Sequence, residues 1–263
     1  MIPPINLSGA EWAYQDAKPF PHVVIDGFFT DAFARELAAE FPAFEGDAWH
    51  RYNNAIEVKR TCNDWNRFGP ATYRAFSFLN SPDFVELLRL SLKIKGPLFS
   101  DHGLHGGGLH AHAAGGKLNV HLDYARHPKL GLERKINILV YLNEDWREEW
   151  GGALGLWEPS PVQLSPGALA KTIEPRFNRA VIFQTTNAWH GLPEPIQCPP
   201  GQMRKSLAVY YLTEPSASCE TRSRALFAPA PDQIGSAEVL DLIRLRASEE
   251  TAAQTWRAAN PAG

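Results

Sequence analysis

The 263-residue sequence is poor in cysteine: it has three, Cys62, Cys198 and Cys219, far apart and with no CxxC pair. That spacing excludes a thiolate zinc site and a disulfide framework, and reduced thiols in a cytoplasmic protein are the expectation. Neither sign of charge dominates. Lys and Arg total 26 against 29 Asp and Glu, a formal net charge of -3. A nucleic-acid surface needs a clustered basic excess, so no such partner is expected. Long hydrophobic runs are missing as well. The longest in the middle of the chain, 138–142, is far too short to span a bilayer. Met1-Ile2-Pro3-Pro4-Ile5 lacks the basic segment and apolar stretch of a secretion signal, so no membrane role is expected. The glycine runs 106–108 and 115–116 are followed neither by Lys-Ser/Thr nor by a helix start, which excludes a phosphate-cradling loop and leaves turns.

What is present is enough for a core. The apolar fraction is 44% over a length that one domain with additions can hold. Residues 1–98 read as a mixed α/β flank. His22-Val23-Val24-Ile25-Asp26 is a short strand, Thr30-Asp31 starts a helix over 32–41, and Pro42 stops it. Ser81 is an N-cap with Pro82 at the first helical position of a second helix, which ends at Gly96-Pro97. From residue 99 to 213 short β runs follow, at 117–124, 135–142, 153–157, 180–184 and 205–212. Strands of this length and spacing point to a sandwich or barrel. Residues 214–263 read as a helical appendage, with an amphipathic stretch at 236–246.

Within the β region, His121-Leu122-Asp123 lies on a predicted strand. Residues two apart on a strand share a face, so the imidazole and the carboxylate can meet one metal. His190, just past the strand at 180–184, is the third candidate ligand. Two His and one carboxylate on one face of an octahedral metal leave positions open for a chelating cosubstrate and O₂, which suits iron(II).

The order of motifs carries more than the triad alone. Gly115-Gly116, His121-Leu122-Asp123, Tyr141-Leu142-Asn143-Glu144-Asp145-Trp146, Gly151-Gly152-Ala153-Leu154, Pro175-Arg176-Phe177-Asn178-Arg179, His190 and Arg204-Lys205-Ser206 with Tyr210-Tyr211 follow one another. This run, about residues 105–213, resembles the prolyl-hydroxylase branch of the iron(II)/2-oxoglutarate-dependent dioxygenases. The resemblance implies a mainly β fold with flanking helices around a double-stranded β-helix (jelly-roll) core, with the metal near its open end. It implies Fe(II), 2-oxoglutarate as cosubstrate and O₂, and hydroxylation of a substrate C–H bond with release of succinate and CO₂.

The resemblance also assigns the cosubstrate. Arg204 stands where the family's late-strand base meets the distal carboxylate, and a guanidinium can pair with a carboxylate through two hydrogen bonds. Ser206 would share its face and Lys205 would point away. The tyrosine equivalent to Tyr141 bonds the same carboxylate, and alternation puts Asn137 and Leu139 on its face. The interval from His190 to Arg204 is long, and residues 197–201 read as a turn insertion. Lys117 and Asn119, on the face of His121 and Asp123, are candidate substrate contacts, as is Trp189 beside the third ligand. His102, His105, His110 and His112 read as loop histidines near the pocket, with substrate contact by His110 or His112 favoured over a second metal. Asp123 argues against halogenation, in which chloride takes the carboxylate's place; desaturation and ring closure stay open. The rival from another class is a non-catalytic jelly-roll module binding a metal or small acid. The substrate, be it a small molecule, a glycan or a protein side chain, is left open.

Overall fold

The computed structural model describes residue 7, residues 10–161 and residues 163–257; the Met1–Ile5 run and the last six residues of the C-terminal stretch lie outside the described residues. The strands, in chain order, are β1 (His22–Asp26), β2 (His50–Asn53), β3 (Glu57–Cys62), β4 (Phe99–Ser100), β5 (Gly108–His112), β6 (Lys117–Leu118) and β7 (His121–Leu122). They continue with β8 (Glu133–Tyr141), β9 (Leu154–Pro159), β10 (Pro166–Ile173), β11 (Arg179–Gln184), β12 (Trp189–Gly191), β13 (Arg204–Thr213) and β14 (Leu226–Phe227). Among the described residues these form two antiparallel sheets. The larger runs β1-β11-β8-β13-β5-β3-β2, with β4 and β6 on its margins; the smaller runs β10-β9-β12-β7-β14. This is the expected mainly β jelly-roll with flanking helices.

The central strands of the larger sheet, β11, β8 and β13, are buried on both faces and carry near-continuous apolar runs. On β8 and β13, Ile136, Ile138, Val140, Leu207, Val209 and Tyr211 face the helices and join Phe33, Leu37, Phe76 and Phe84 in the main core. The alternate residues, Asn137, Leu139, Arg204, Ser206 and Tyr210, face a cavity between the sheets. Burying each large apolar side chain contributes about 1.5–3 kcal/mol, so this sandwich of helices and sheet makes the cavity wall rigid.

The helices form for local reasons. After α1 (Ala10–Gln15) comes α2 (Asp31–Ala39), where the Thr30 hydroxyl accepts from Phe33 N, and in α4 (Pro82–Ser91) Ser81 accepts from Phe84 N with Pro82 at the first position. The helix between them, α3 (Pro70–Leu79), was not expected. Its N-cap is Gly69, with no side chain to cap it. Glu40 supplies the cap from the end of α2: its carboxylate accepts from Ala71 N and Thr72 N, each at 2.7 Å.

Asn178, in the left-handed region at φ 57°, ties the flank to the core. Its side chain accepts from Phe29 N and donates to Phe29 O and Asp31 Oδ1. The C-terminal stretch is likewise more than an appendage. Besides α5 (Ala237–Ala247), capped by Ser236, it contributes β14, which pairs with β7 opposite His121 and Leu122.

Candidate metal and cosubstrate site

β7 and β12 are three residues long or less, yet they hold the site. His190 pairs directly with His121 across the two strands, and their ring centroids are 4.4 Å apart. Asp123 lies just beyond β7. His121 Nε2 is 3.9 Å from Asp123 Oδ1, and His190 Nε2 is 3.9 Å from Asp123 Oδ2. All three residues are buried, with ligand atoms within 4.8 Å of one another, and they are the only such metal-ligand group among the described residues.

The imidazoles are set for a metal. His121 Nδ1 donates to the Asn119 carbonyl at 3.0 Å and His190 Nδ1 donates to the Ala188 carbonyl at 2.9 Å. Both rings are thereby locked in the tautomer whose Nε2 carries a lone pair. Burial, with His190 close by, pushes the His121 pKa down to about 3, so it is neutral at physiological pH. Burial works against the charge of Asp123, but Arg134, followed by the two imidazoles, outweighs it and holds the carboxyl below its ordinary pKa. Asp123 Oδ1 accepts from Tyr210 Oη at 3.3 Å and lies 3.5 Å from Arg134 Nη1, while Oδ2 has no hydrogen-bond partner. Two free imidazole nitrogens and one orphaned carboxylate oxygen fit a divalent metal.

The cavity beside this triad measures about 380 Å³. Arg204, 4% exposed, enters it from β13. Its Nε donates to the Gly152 carbonyl at 2.7 Å and its guanidinium lies 4.7 Å from the Tyr141 ring. No carboxylate among the described residues pairs with it. A buried guanidinium without a counter-charge costs several kcal/mol, and the orphaned polar atoms around it point the same way. Asn137 Oδ1 and both ring nitrogens of His112 are buried without partners. Burial, then Arg204 itself, holds His112 well below its ordinary pKa, hence neutral and able to donate or accept.

The expected register of β13 is seen: Arg204 and Ser206 face the cavity, and Lys205 points away, donating to the Ala38 carbonyl at 2.9 Å. A turn at residues 200–201, closed by Gln202 N donating to Pro199 O, precedes it. Lys117 and Asn119 do not line the cavity. The expected continuous strand at 117–124 breaks after Leu118, so alternation does not carry through to His121. Asn119 instead donates to Ala228 O and Gln233 Oε1, and its own carbonyl holds His121. Trp189 packs against Leu122 and Ala228 behind the site rather than in it. His110 and His112 lie on strand β5, not in a loop, and face the cavity, as does His105; His102 does not.

Three neighbours of the triad had no sequence signal. Arg134 faces the metal site only because β8 bulges. Tyr211 pairs with Ile136 but Leu212 pairs with Arg134, so Lys135 is the extra residue and Arg134 is turned from the helix side to the cavity side. Its guanidinium is clamped 3.3 and 3.4 Å from the Tyr124 and Tyr210 rings. Phe227 arrives on β14 and stacks on His121 at 4.9 Å, 22° between planes. Arg222 Nη1 donates to the Asp123 carbonyl.

Residues 107–212 match the 2OG-Fe(II) oxygenase superfamily. A comparison with curated proteins finds no match. Similar solved structures include a Pseudomonas putida prolyl-4-hydroxylase, 18% identical, TM-score 0.52, covering 79% of this chain and 100% of that one. Another is a Trichoplax adhaerens prolyl hydroxylase solved with a hypoxia-inducible-factor peptide, 16% identical, TM-score 0.53, covering 78% and 89%. HygX from Streptomyces hygroscopicus, solved with nickel and 2-oxoglutarate, is 13% identical with TM-score 0.54, covering 79% and 88%. Over residues 107–212 the match is to a 2OG-Fe(II) oxygenase domain, and the fold of the chain is that of the similar structures. Two of these similar structures are prolyl hydroxylases, the branch that the order of the motifs resembles.

Proposed function

We propose that this chain is an iron(II)- and 2-oxoglutarate-dependent hydroxylase in which His121, Asp123 and His190 hold the metal and Arg204 anchors the cosubstrate. The observation that carries the reading is Arg204: a buried guanidinium with no carboxylate partner among the described residues, in the same cavity as a triad with free ligand atoms. A dicarboxylate supplies the missing counter-charge. Arg204 would take its distal carboxylate, with Ser206 and Tyr141 as hydroxyl donors and Asn137 lining the same wall.

The protein's part is positional. Carbonyls of Asn119 and Ala188 aim the imidazoles, and Tyr210 and Arg134 keep Asp123 ionised with one oxygen free. Leu139 and Leu154 line the cavity and keep it partly dry, which strengthens the Arg204 pairing. Iron(II) bound there would supply O₂ activation coupled to oxidative decarboxylation of 2-oxoglutarate to succinate and CO₂. The presence of Asp123 favours oxygen transfer over halogen transfer, because no ligand position is left for a halide in its place. The P. putida and T. adhaerens likenesses do not assign proline as the substrate, since the fold hosts many.

The test is calorimetric binding of 2-oxoglutarate to the Ni(II)-loaded protein, followed by aerobic Fe(II) assays for succinate across metabolite, glycan and peptide pools. Substrate-dependent succinate, with ¹⁸O from ¹⁸O₂ in the product even in abundant chloride, supports the hydroxylase. A chlorinated product overturns it, and iron binding with no succinate from any pool moves the reading to the binding module.

A further inference from the structure

Charge is distributed unevenly in this molecule. The chain carries a formal net charge of -3, yet the side chains lining the cavity include Lys59, Arg134, Arg204, Arg224 and Arg246 against one carboxylate, Asp123. Asp123 accounts for Arg134, and a dicarboxylate cosubstrate accounts for Arg204. Three cations remain. Just behind the wall, Glu57 is shared by two of them, 2.8 Å from Arg246 Nε and 3.3 Å from Lys59 Nζ. Arg224 forms no ion pair among the described residues, and its Nε is buried without a hydrogen-bond partner.

Lys59 and Arg246 gather at Glu57 and Tyr52, while Arg204 lies over Tyr141. Lys59 Nζ is 5.0 Å from the Tyr52 ring and the Arg246 guanidinium 6.0 Å from it. Arg246 is also 5.6 Å from the ring of Phe227, the residue stacked on His121. The cluster is therefore one aromatic ring away from a metal ligand. Arg224, three residues before Phe227, reaches the same wall from the C-terminal stretch.

We infer that the organic substrate presents an oxyanion, a carboxylate or a phosphate or sulfate ester, to a cation cluster formed by Lys59, Arg224 and Arg246. The inference rests on the hydroxylase reading and deepens it. A neutral substrate would close the cavity over an Arg224 left uncompensated, which is costly, whereas an anion gains from a pre-set field in a partly dry space. Glu57 holds two of the three cations in place beforehand, so little ordering remains to be done on binding. Since the cluster is one ring from His121, the C–H bond attacked lies a few bonds from the anionic group. A cationic substrate is repelled.

The probes are inorganic sulfate and sodium acetate, titrated into Ni(II)-loaded protein already saturated with 2-oxoglutarate, so that the metal and Arg204 are occupied. Tetramethylammonium is the control cation. Anion binding by wild type, at least tenfold weaker in Arg224→Gln and in Lys59→Gln and largely kept in Arg224→Lys, supports the inference. Arg244→Gln, an exposed change on the same helix as Arg246, should leave it unaltered. Tighter sulfate than acetate assigns a phosphate or sulfate ester, and the reverse a carboxylate. Arg224 is half-buried and has no ion pair to lose, so Arg224→Gln should fold; its melting temperature checks this. Equal anion affinity in wild type and Arg224→Gln, or no anion binding while 2-oxoglutarate still binds, overturns the inference alone. Failure of 2-oxoglutarate to bind overturns the hydroxylase reading and this with it.

Discussion

Arg134 and Arg204 sit on neighbouring strands of one sheet, and both are buried against tyrosines. Their surroundings differ in one respect. Arg134 lies 3.5 Å from Asp123, so its charge is answered within the fold. Arg204 meets a backbone carbonyl and a ring, and no carboxylate among the described residues. Charge burial costs several kcal/mol per ion unless it is compensated. Arg134 is thus a structural cation that keeps Asp123 ionised, and on the reading proposed above Arg204 is a binding cation whose partner arrives from solution. The same residue type, at opposite ends of the paired β8 and β13, serves stability in one place and, on the proposed reading, affinity in the other.

The hardest break is at the triad, next to Arg134. His121→Ala or His190→Ala removes one of three protein ligands, and we expect loss of stoichiometric Ni(II) or Fe(II) binding and of all turnover. Metal content by mass spectrometry checks it, and a fully loaded, active variant would sink the assignment.

Next come the two arginines themselves. In metal-free protein, Arg134→Met leaves Asp123 buried and unpaired, and denaturant unfolding should show a loss of about 3–5 kcal/mol. The loss should shrink when Ni(II) is bound, because the metal takes over as counter-charge. Arg204→Met should cost no more than about 1 kcal/mol, the value of its bond to Gly152 O. Its effect appears in binding, where losing a charge-assisted pair worth about 1.5–3 kcal/mol weakens 2-oxoglutarate roughly ten- to a hundredfold. Lys205→Ala, one residue on but facing Ala38, should leave that affinity within about twofold. Equal stability losses for the two arginine variants would erase the distinction.

How much of this was legible follows from range. That His121 and Asp123 come together, and that Arg204 and Ser206 share a face, could be read because two-residue spacing is local, whereas His190 entered through the order of the motifs. The Thr30 and Ser81 helix starts were legible for the same reason. Arg134 was not, because its direction depends on a bulge set by pairing with β13, some 80 residues later. Glu40 capping α3 from 31 residues away, and Phe227 stacking on His121 across 106 residues, leave no local trace either. Lys117 and Asn119 were misplaced by trusting alternation across a break after Leu118. His110 and His112 were taken for loop residues because the glycines before them hid a strand whose tight approach demands one of them. At Gly108, φ 96°, a Cβ would fall 2.1 Å from the Cys62 carbonyl oxygen.

A third arginine on the same sheet marks the mild end of the comparison. Arg179 binds Asp26 in a two-pronged pair, Nε–Oδ1 2.6 Å and Nη2–Oδ2 2.8 Å, joining β11 to β1. Asp26 has a side chain 63% exposed, so water answers both charges when the pair opens. The hydrogen bond from Arg179 lowers the Asp26 pKa below its ordinary value. A carboxyl whose pKa is lower folded than unfolded adds stability above the unfolded pKa, and that stability is lost as pH falls through the folded one. The pair should therefore contribute fully at pH 6–8 and fade below about pH 4. Screening limits it to about 0.2–1 kcal/mol. Asp26→Asn should be less stable than wild type by that amount at neutral pH, with the gap closing in acid and in high salt. Denaturant midpoints across pH would measure it. A gap that persists at pH 3 would mean that packing at the β1 edge, rather than charge, is what the substitution removed.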